Sequence, residues 1–343
     1  IDEWQMISFI WDSVKTEVDN NDSFGQFILT GSVSDRTILG DEHSSEEEHH
    51  SGTGRIVRKM MRTMSLFESG LKNGKINASV CDKTLDDYAF CLCRGGWPLA
   101  IGEDEDVALQ QAIDYYENLV IDDIFSIKDI PLVKDEQKAR RVLRSYARNC
   151  STQCGDKVIK DDVSSNAGTF DISTLDKYLS SLRRLFVIED LPAWNPSLRS
   201  KTAIRTKDTR HFVDTSIACA ALGIGPNGLF NDMKTFGLLF EDMAVRDLRI
   251  YADVDNANIL HYRDKNDREV DAVVVFKDGD WGLVEIKLAN EDEIGEAAAK
   301  LISLAKDINE EKKPSFLAIV TATKFAFQRE DVVFVVPLGC LKP

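Results

Sequence analysis

The stretch from Thr235 to Leu288 limits what this chain can fold into more than any other part of it. Phe236, Leu239, Phe240, Met243, Ala244, Leu248 and Tyr251 recur at helical spacing, which predicts an amphipathic helix over 235–251. Three strand-like runs follow at 259–263, 269–276 and 281–288, and Asp278-Gly279 signals a tight hairpin between the last two. A second helical pattern covers 292–307, and further short strands are predicted at 316–321 and 332–337. The order is α-β-β-β-α-β, a mixed α/β unit.

Two of these strands carry charge where a buried sheet does not ordinarily have it. Asp271 lies on one, within Glu269-Val270-Asp271, and Glu285-Ile286-Lys287 on the next. Strand side chains alternate faces, so Glu285 and Lys287 share a side. The pair is flanked by Leu283, Val284, Ile286 and Leu288. Carboxylates and an ammonium converging there are costly unless they bind something. A divalent cation on Asp271 and Glu285, with Lys287 holding a water or a phosphate, gives them a use. The plainer alternative is a Glu-x-Lys pair on a solvated strand face. In these residues and this element order, 230–343 resembles the restriction-endonuclease-like PD-(D/E)xK fold. The resemblance implies that Asp271 and Glu285 are ligands for Mg²⁺ or Mn²⁺, that Lys287 is the catalytic lysine, and that Glu241 is an accessory acid on the first helix. Val270 stands where the motif's name has proline. Domains of this fold also persist as binding modules.

The N-terminal region carries a second set of signals. Asp2-Glu3 has the acidic pair of a Walker B segment, which orients Mg²⁺ and water in ATP hydrolysis. Phe27-Ile28-Leu29-Thr30-Gly31-Ser32 reads as a buried strand ending in small polar residues, and Ser51-Gly52-Thr53-Gly54-Arg55 precedes Met60–Glu68. No Gly-x-x-x-x-Gly-Lys-Ser/Thr phosphate loop occurs in the sequence. These segments, with the Gly95-Gly96-Trp97-Pro98 turn and the Glu-Val-Asp and Glu-Ile-Lys pairs, resemble AAA-type ATPases with a C-terminal domain of unknown function 4143. The resemblance implies that Asp2 and Glu3 are Walker B acids, that Thr30 is a sensor position, and that Arg55 is an arginine near the γ-phosphate or a loop anchor. It implies ATP and Mg²⁺ as cofactors, ATP only together with a phosphate-loop half, and a homo-oligomer as a possible assembly. The chain then reads as the C-terminal portion of such a protein. Its expected parts are an ATPase portion at 1–75, a helical lid or linker at 76–121, a winged-helix-like part at 122–215 and the nuclease-like part at 225–343.

Helical spacing recurs at 109–121, 137–150 and 174–185, with Ser173 as the expected cap of the last. Strands are expected at 186–191, 202–206 and 211–214, and the family resemblance implies a winged helix. Charge makes DNA the partner to consider. The 343-residue chain has a net charge of −16, which disfavours indiscriminate polyanion binding. Residues 137–210 nevertheless hold 15 Lys and Arg against 8 Asp and Glu, +7, leaving −23 elsewhere. Arg140, Arg141, Arg144 and Arg148 form a helical stripe, Arg183 and Arg184 end the next long helix, and Arg199, Lys201, Arg205, Lys207 and Arg210 follow. Such a patch suits phosphates, although the arginines equally suit pairing with nearby acids.

The remaining features exclude more than they assign. No apolar run reaches the ~18 residues of a membrane span. Seven cysteines without a disulfide-like or zinc-like spacing suggest reduced thiols and a cytoplasmic setting. The acidic, Ser- and His-rich segment Asp41–His50 reads as a surface loop.

Overall fold

A computed structural model describes residues 1–4, 7, 9–21, 23, 25–31, 55–70, 79–127, 130, 132–164, 170–196, 206–288, 291–308 and 313–343. Its helices are α1 (Phe9–Asn20), α2 (Leu66–Gly70), α3 (Leu85–Arg94), α4 (Glu105–Ile121), α5 (Glu136–Arg148), α6 (Asp156–Ser164), α7 (Ile172–Arg184), α8 (Thr215–Leu222), α9 (Pro226–Leu229), α10 (Met233–Asp255) and α11 (Glu291–Asp307). Its strands are β1 (Asn258–Arg263), β2 (Glu269–Val275), β3 (Trp281–Lys287), β4 (Phe316–Thr321), β5 (Phe327–Gln328) and β6 (Phe334–Pro337). The protein is a mixed α/β structure around one six-stranded sheet of order β1-β2-β3-β4-β6-β5.

Antiparallel pairing joins β1 to β2 and β2 to β3, as the Asp278-Gly279 turn requires; Gly279 takes φ +82° there. The connection from β3 to β4 is parallel and carries α11. Strand alternation then divides the sheet. Ala272, Val274, Val284 and Ile286 join the core that contains Phe236 and Phe240 of α10, whereas Val273, Trp281 and Leu283 pack with Ile294, Ala297, Leu301 and Leu304 of α11. Fully buried rings such as Phe236 and Phe240 each contribute about 2 kcal/mol of transfer free energy.

The first core is continuous with the helical middle of the chain, taking in Tyr88 of α3, Leu143 of α5, Leu179 of α7 and Ile217 of α8. After α7 the chain returns as an antiparallel ribbon, with bridges Ile188–Phe212 and Leu191–Thr209. This pairs the first and third strands expected there; of the expected 202–206 strand, only Thr206 lies within the described residues. The ribbon abuts the sheet, since His261 of β1 donates its amide to Pro192 (2.9 Å) and accepts from that of Trp194 (2.6 Å). Asp171 rather than Ser173 caps α7. Its Oδ1 accepts the Thr174 amide at 2.8 Å and the Ser173 hydroxyl at 2.7 Å, a carboxylate being the stronger acceptor.

A buried ionic seam binds α10 to the rest. Arg246 reaches Asp214 (3.1 Å) and Asp247 (2.8 Å); Asp214 also accepts the Gly96 amide (2.9 Å), and Asp247 that of Leu66 (2.8 Å). Burial pushes Asp214 up, but Arg246 and the hydrogen bonds to Ser216 and Gly96 outweigh it and hold its carboxyl below the usual range. Burial prevails at Asp247, which lies above that range. Gly96 cannot be replaced here, because a Cβ would come within 2.1 Å of the Met64 carbonyl oxygen.

His261, 2 % exposed, donates through Nε2 to the Lys207 carbonyl (3.0 Å), and burial pushes its pKa down to about 4. The unfolded imidazole protonates near pH 6.5, so the stability held by the neutral folded form is present above pH 6.5 and lost as pH falls through 4. We predict that wild type loses up to about 3 kcal/mol more than His261→Gln over this interval. Urea unfolding of both proteins at pH 7, 5.5 and 4.5 measures it; parallel pH profiles would rule the effect out.

Candidate functional site

The acids that the sequence singles out on β2 and β3 meet where the two strands part. Their last ladder pair is Ala272–Val284. Two residues past Val284, the Ile286 amide donates to the Asp271 side chain, Oδ2, at 2.7 Å, so a carboxylate stands where a backbone carbonyl would continue the ladder. Glu285 and Lys287 share the alternation of Trp281 and Leu283 and therefore face the α11 side. Lys287 Nζ lies 3.0 Å from Glu285 Oε1 and 3.5 Å from Asp271 Oδ2. Asp271 and Glu285 are 10 % and 1 % exposed at the side chain, and Lys287 is 36 % exposed, so the ammonium is the member that meets solvent.

Glu241 of α10 interacts with the same group through its charge. Burial, then the charge of Asp271, pushes its carboxyl well above the usual range, with Glu285 adding to the effect and Lys287 opposing it. Glu285 is raised for the same reasons, first burial and then Asp271. Lys287 moves up because Asp271 and Glu285 outweigh its own burial. All four residues picked out in this part of the sequence thus act on one another electrostatically.

A fifth member was not foreseen. Lys300 of α11 places Nζ 2.6 Å from Glu285 Oε1, closer than Lys287 does. Its signal in the sequence is faint: it lies three residues after Ala297 and four before Leu304, on the buried stripe of an otherwise ordinary amphipathic helix. The other Glu285 oxygen, Oε2, is buried without a hydrogen-bond partner among the described residues.

Three carboxylates thus face two ammonium groups. Among the described residues, no group of three or more His, Cys, Asp and Glu side chains is spaced to hold a metal ion. The donor chemistry nevertheless fits a hard divalent cation: oxygen ligands only, an excess of carboxylate, and one buried oxygen with nothing bonded to it.

The N-terminal residues form a separate group. Thr30 donates its hydroxyl to Asp2 Oδ1, the Thr30 amide bonds to the Ile1 carbonyl (2.9 Å), and the Trp4 amide to that of Thr30 (3.2 Å). Asp2 and Thr30 are therefore brought together, with Glu3 in the bend beside them. Arg55 is paired instead with Asp19 of α1. The expected buried strand at 27–32 needs correcting: 26–31 carries no strand and Ile28 is 77 % exposed. Ile1–Trp4 is its hydrogen-bonded neighbour, and one such neighbour does not bury a strand. Ser32, Ser51–Gly54 and Asp41–His50 lie outside the described residues.

The arginine stripe is only partly free. Arg140 makes a two-pronged pair with Glu117 (2.8 and 2.6 Å), Arg148 contacts Asp162 (3.3 Å) and Arg183 contacts Asp190 (2.7 Å). Arg144 is exposed, Arg141 half-buried, and Arg184 sits in the last turn of α7. Arg199, Lys201 and Arg205 fall outside the described residues. All seven cysteines are unpaired thiols, six of them buried. No helix among the described residues is long and apolar enough to cross a membrane.

Fold and site together define a mixed α/β protein with a carboxylate–lysine cluster at the open end of its central sheet. Residues 236–341, which contain that cluster, match a domain of unknown function (DUF4143), and residues 85–228, the helical middle, match another (DUF8612). No curated protein matches the chain.

Proposed function

We propose that the C-terminal part is a PD-(D/E)xK nuclease-like domain that hydrolyses phosphodiester bonds of DNA with Mg²⁺ or Mn²⁺. The observation that carries this reading is Glu285 Oε2, buried and without a hydrogen-bond partner among the described residues, at the point where β2 and β3 separate. Asp271 and Glu285 would hold the cation. When bound, it supplies Lewis-acid stabilisation of the phosphate and a more acidic water. Lys287, 36 % exposed at its side chain and next to both acids, would meet a phosphate oxygen and stabilise charge that develops there. Glu241, raised by burial and by Asp271, is suited to exchange a proton with an oxygen of the substrate. The test is plasmid nicking by the wild-type chain with Mg²⁺, with Mn²⁺ and with chelator. Nicking that needs the cation supports the reading; a wild type that binds no cation and never nicks refutes it.

A second reading, a nuclease-like fold that docks nucleic acid without cutting it, is favoured by one observation. Lys287 and Lys300 both stand on Glu285 Oε1 and already neutralise it in part.

DNA contact belongs to the helical middle in this proposal, with a winged helix as the module. The α5–α6–α7 order followed by an antiparallel ribbon supports it. With Arg140, Arg148 and Arg183 committed to acids, Arg144 is the residue to change. Arg144→Ala is predicted to weaken duplex binding evenly across sequences and to lower the slope of log K against log[salt] by about 1. Fluorescence anisotropy at four salt concentrations reads this, and an unchanged slope would remove Arg144 from the interface. ATP binding is proposed only together with a phosphate-binding half that this sequence does not contain. The Thr30–Asp2 hydrogen bond is its support.

A further inference from the structure

The five-residue cluster contains one lysine more than the proposed chemistry uses. Lys287 and Lys300 approach the same oxygen, Glu285 Oε1, at 3.0 and 2.6 Å, one from β3 and one from α11. Oε2 of the same carboxylate is left bare among the described residues. A carboxylate with 1 % of its side chain exposed cannot keep its charge in water's absence without a counter-ion, and Lys300 is the nearer of the two. Lys300 itself is 31 % exposed, so its ammonium can swing toward solvent once another cation takes over the charge of Glu285.

We propose that Lys300 is an internal counter-ion of Glu285 which a divalent cation displaces, and that the released ammonium then faces the phosphate on the α11 side. The inference rests on the cation-dependent reading above. It deepens that reading by giving the site two lysines with different duties. Lys287 is tied to both acids and stays with the sheet. Among the described residues Lys300 pairs with Glu285 alone, and it is the lysine that is exchanged. Lys300 on Oε1 and a cation at the bare Oε2 compete for the charge of one carboxylate, so the helix lysine sets how tightly the cation is held.

The experiment measures cation affinity by calorimetry with Mn²⁺ on wild type, Lys300→Gln, Lys300→Arg and Lys306→Gln. Glutamine keeps a polar side chain one atom shorter and removes the charge; arginine keeps the charge; Lys306, in the last turn of the same helix, controls for the general loss of a positive charge. Lys300→Gln is expected to bind the cation ~10-fold more tightly, the scale on which groups bonded to metal ligands tune affinity. Lys300→Arg and Lys306→Gln are expected to match wild type. Amine labelling read by peptide mass spectrometry is expected to modify Lys300 faster when Mn²⁺ is present. If wild type binds Mn²⁺ and Lys300→Gln binds it equally or more weakly, the counter-ion role is overturned while the cation site stands. If neither protein binds Mn²⁺, both fail together. Thermal melting of each variant confirms that the comparison is between folded proteins.

Discussion

Under the proposed nuclease reading, Asp271→Asn is expected to lower cation-dependent cleavage by ~10²–10³ and to leave the fold intact. Asparagine is nearly isosteric with aspartate, and its amide oxygen still accepts the Ile286 amide that now bonds to Asp271 Oδ2 at 2.7 Å. What is lost is one negative charge from a group in which Glu241, Asp271 and Glu285 repel one another. Stability therefore stays level or rises, because the variant relieves that repulsion while keeping the hydrogen bond. Activity falls, because a ligand charge has gone from the place where charge develops. Loss of a single preorganised electrostatic partner costs ~10²–10³ in rate, and the expected fall in nicking is of that order. Calorimetry with Mn²⁺, plasmid nicking and a melting curve on the same preparations separate the two quantities. Cleavage by Asp271→Asn at the wild-type rate takes Asp271 out of the chemistry. A wild type as silent as the variant, with DNA binding retained in both, establishes the docking reading instead.

The largest effect on stability falls outside this cluster, further along the helix that carries Glu241. Arg246 is 3 % exposed at its side chain, between Asp214 and Asp247, neither of which has any exposed side-chain surface. Arg246→Met leaves two buried carboxylates without their cation, and breaking a buried pair in this way costs about 3–5 kcal/mol. Adding Asp214→Asn and Asp247→Asn to Arg246→Met is expected to restore part of the loss, since the neutral amides still accept the Gly96 and Leu66 amides. Urea unfolding with m-values held in common measures both. A loss below about 1 kcal/mol for Arg246→Met would mean that water reaches the seam and screens it.

What the sequence makes legible follows from what is local. The alternation and the Asp278-Gly279 turn locate β2 and β3 to within a residue, and the helical spacing locates α10 and α11, because each is written in its own short segment. Asp271, Glu285 and Lys287 are found for the same reason: a charge inside an apolar strand is visible without knowing its partner. Lys300 is not, because a lysine on an amphipathic helix looks the same whether it points to water or to a buried carboxylate 15 residues away in sequence. The seam is hidden likewise. Asp214 and Arg246 are 32 residues apart, and nothing in either segment announces the other. The exposed Ile28 shows the converse: an apolar run predicts burial, but burial needs a second surface to supply it.

The seam also has a mechanical side. The Met64 amide is fastened to the Gly96 carbonyl at 2.8 Å and the Leu66 amide to Asp247 at 2.8 Å, and Asp247 stands on the helix that carries Glu241. The six-residue step from Glu241 to Asp247 spans about 9 Å of helix, a strut too short to buckle. A pull on the chain ahead of Met64 is therefore delivered to α10 through Asp247, less than two helical turns from Glu241.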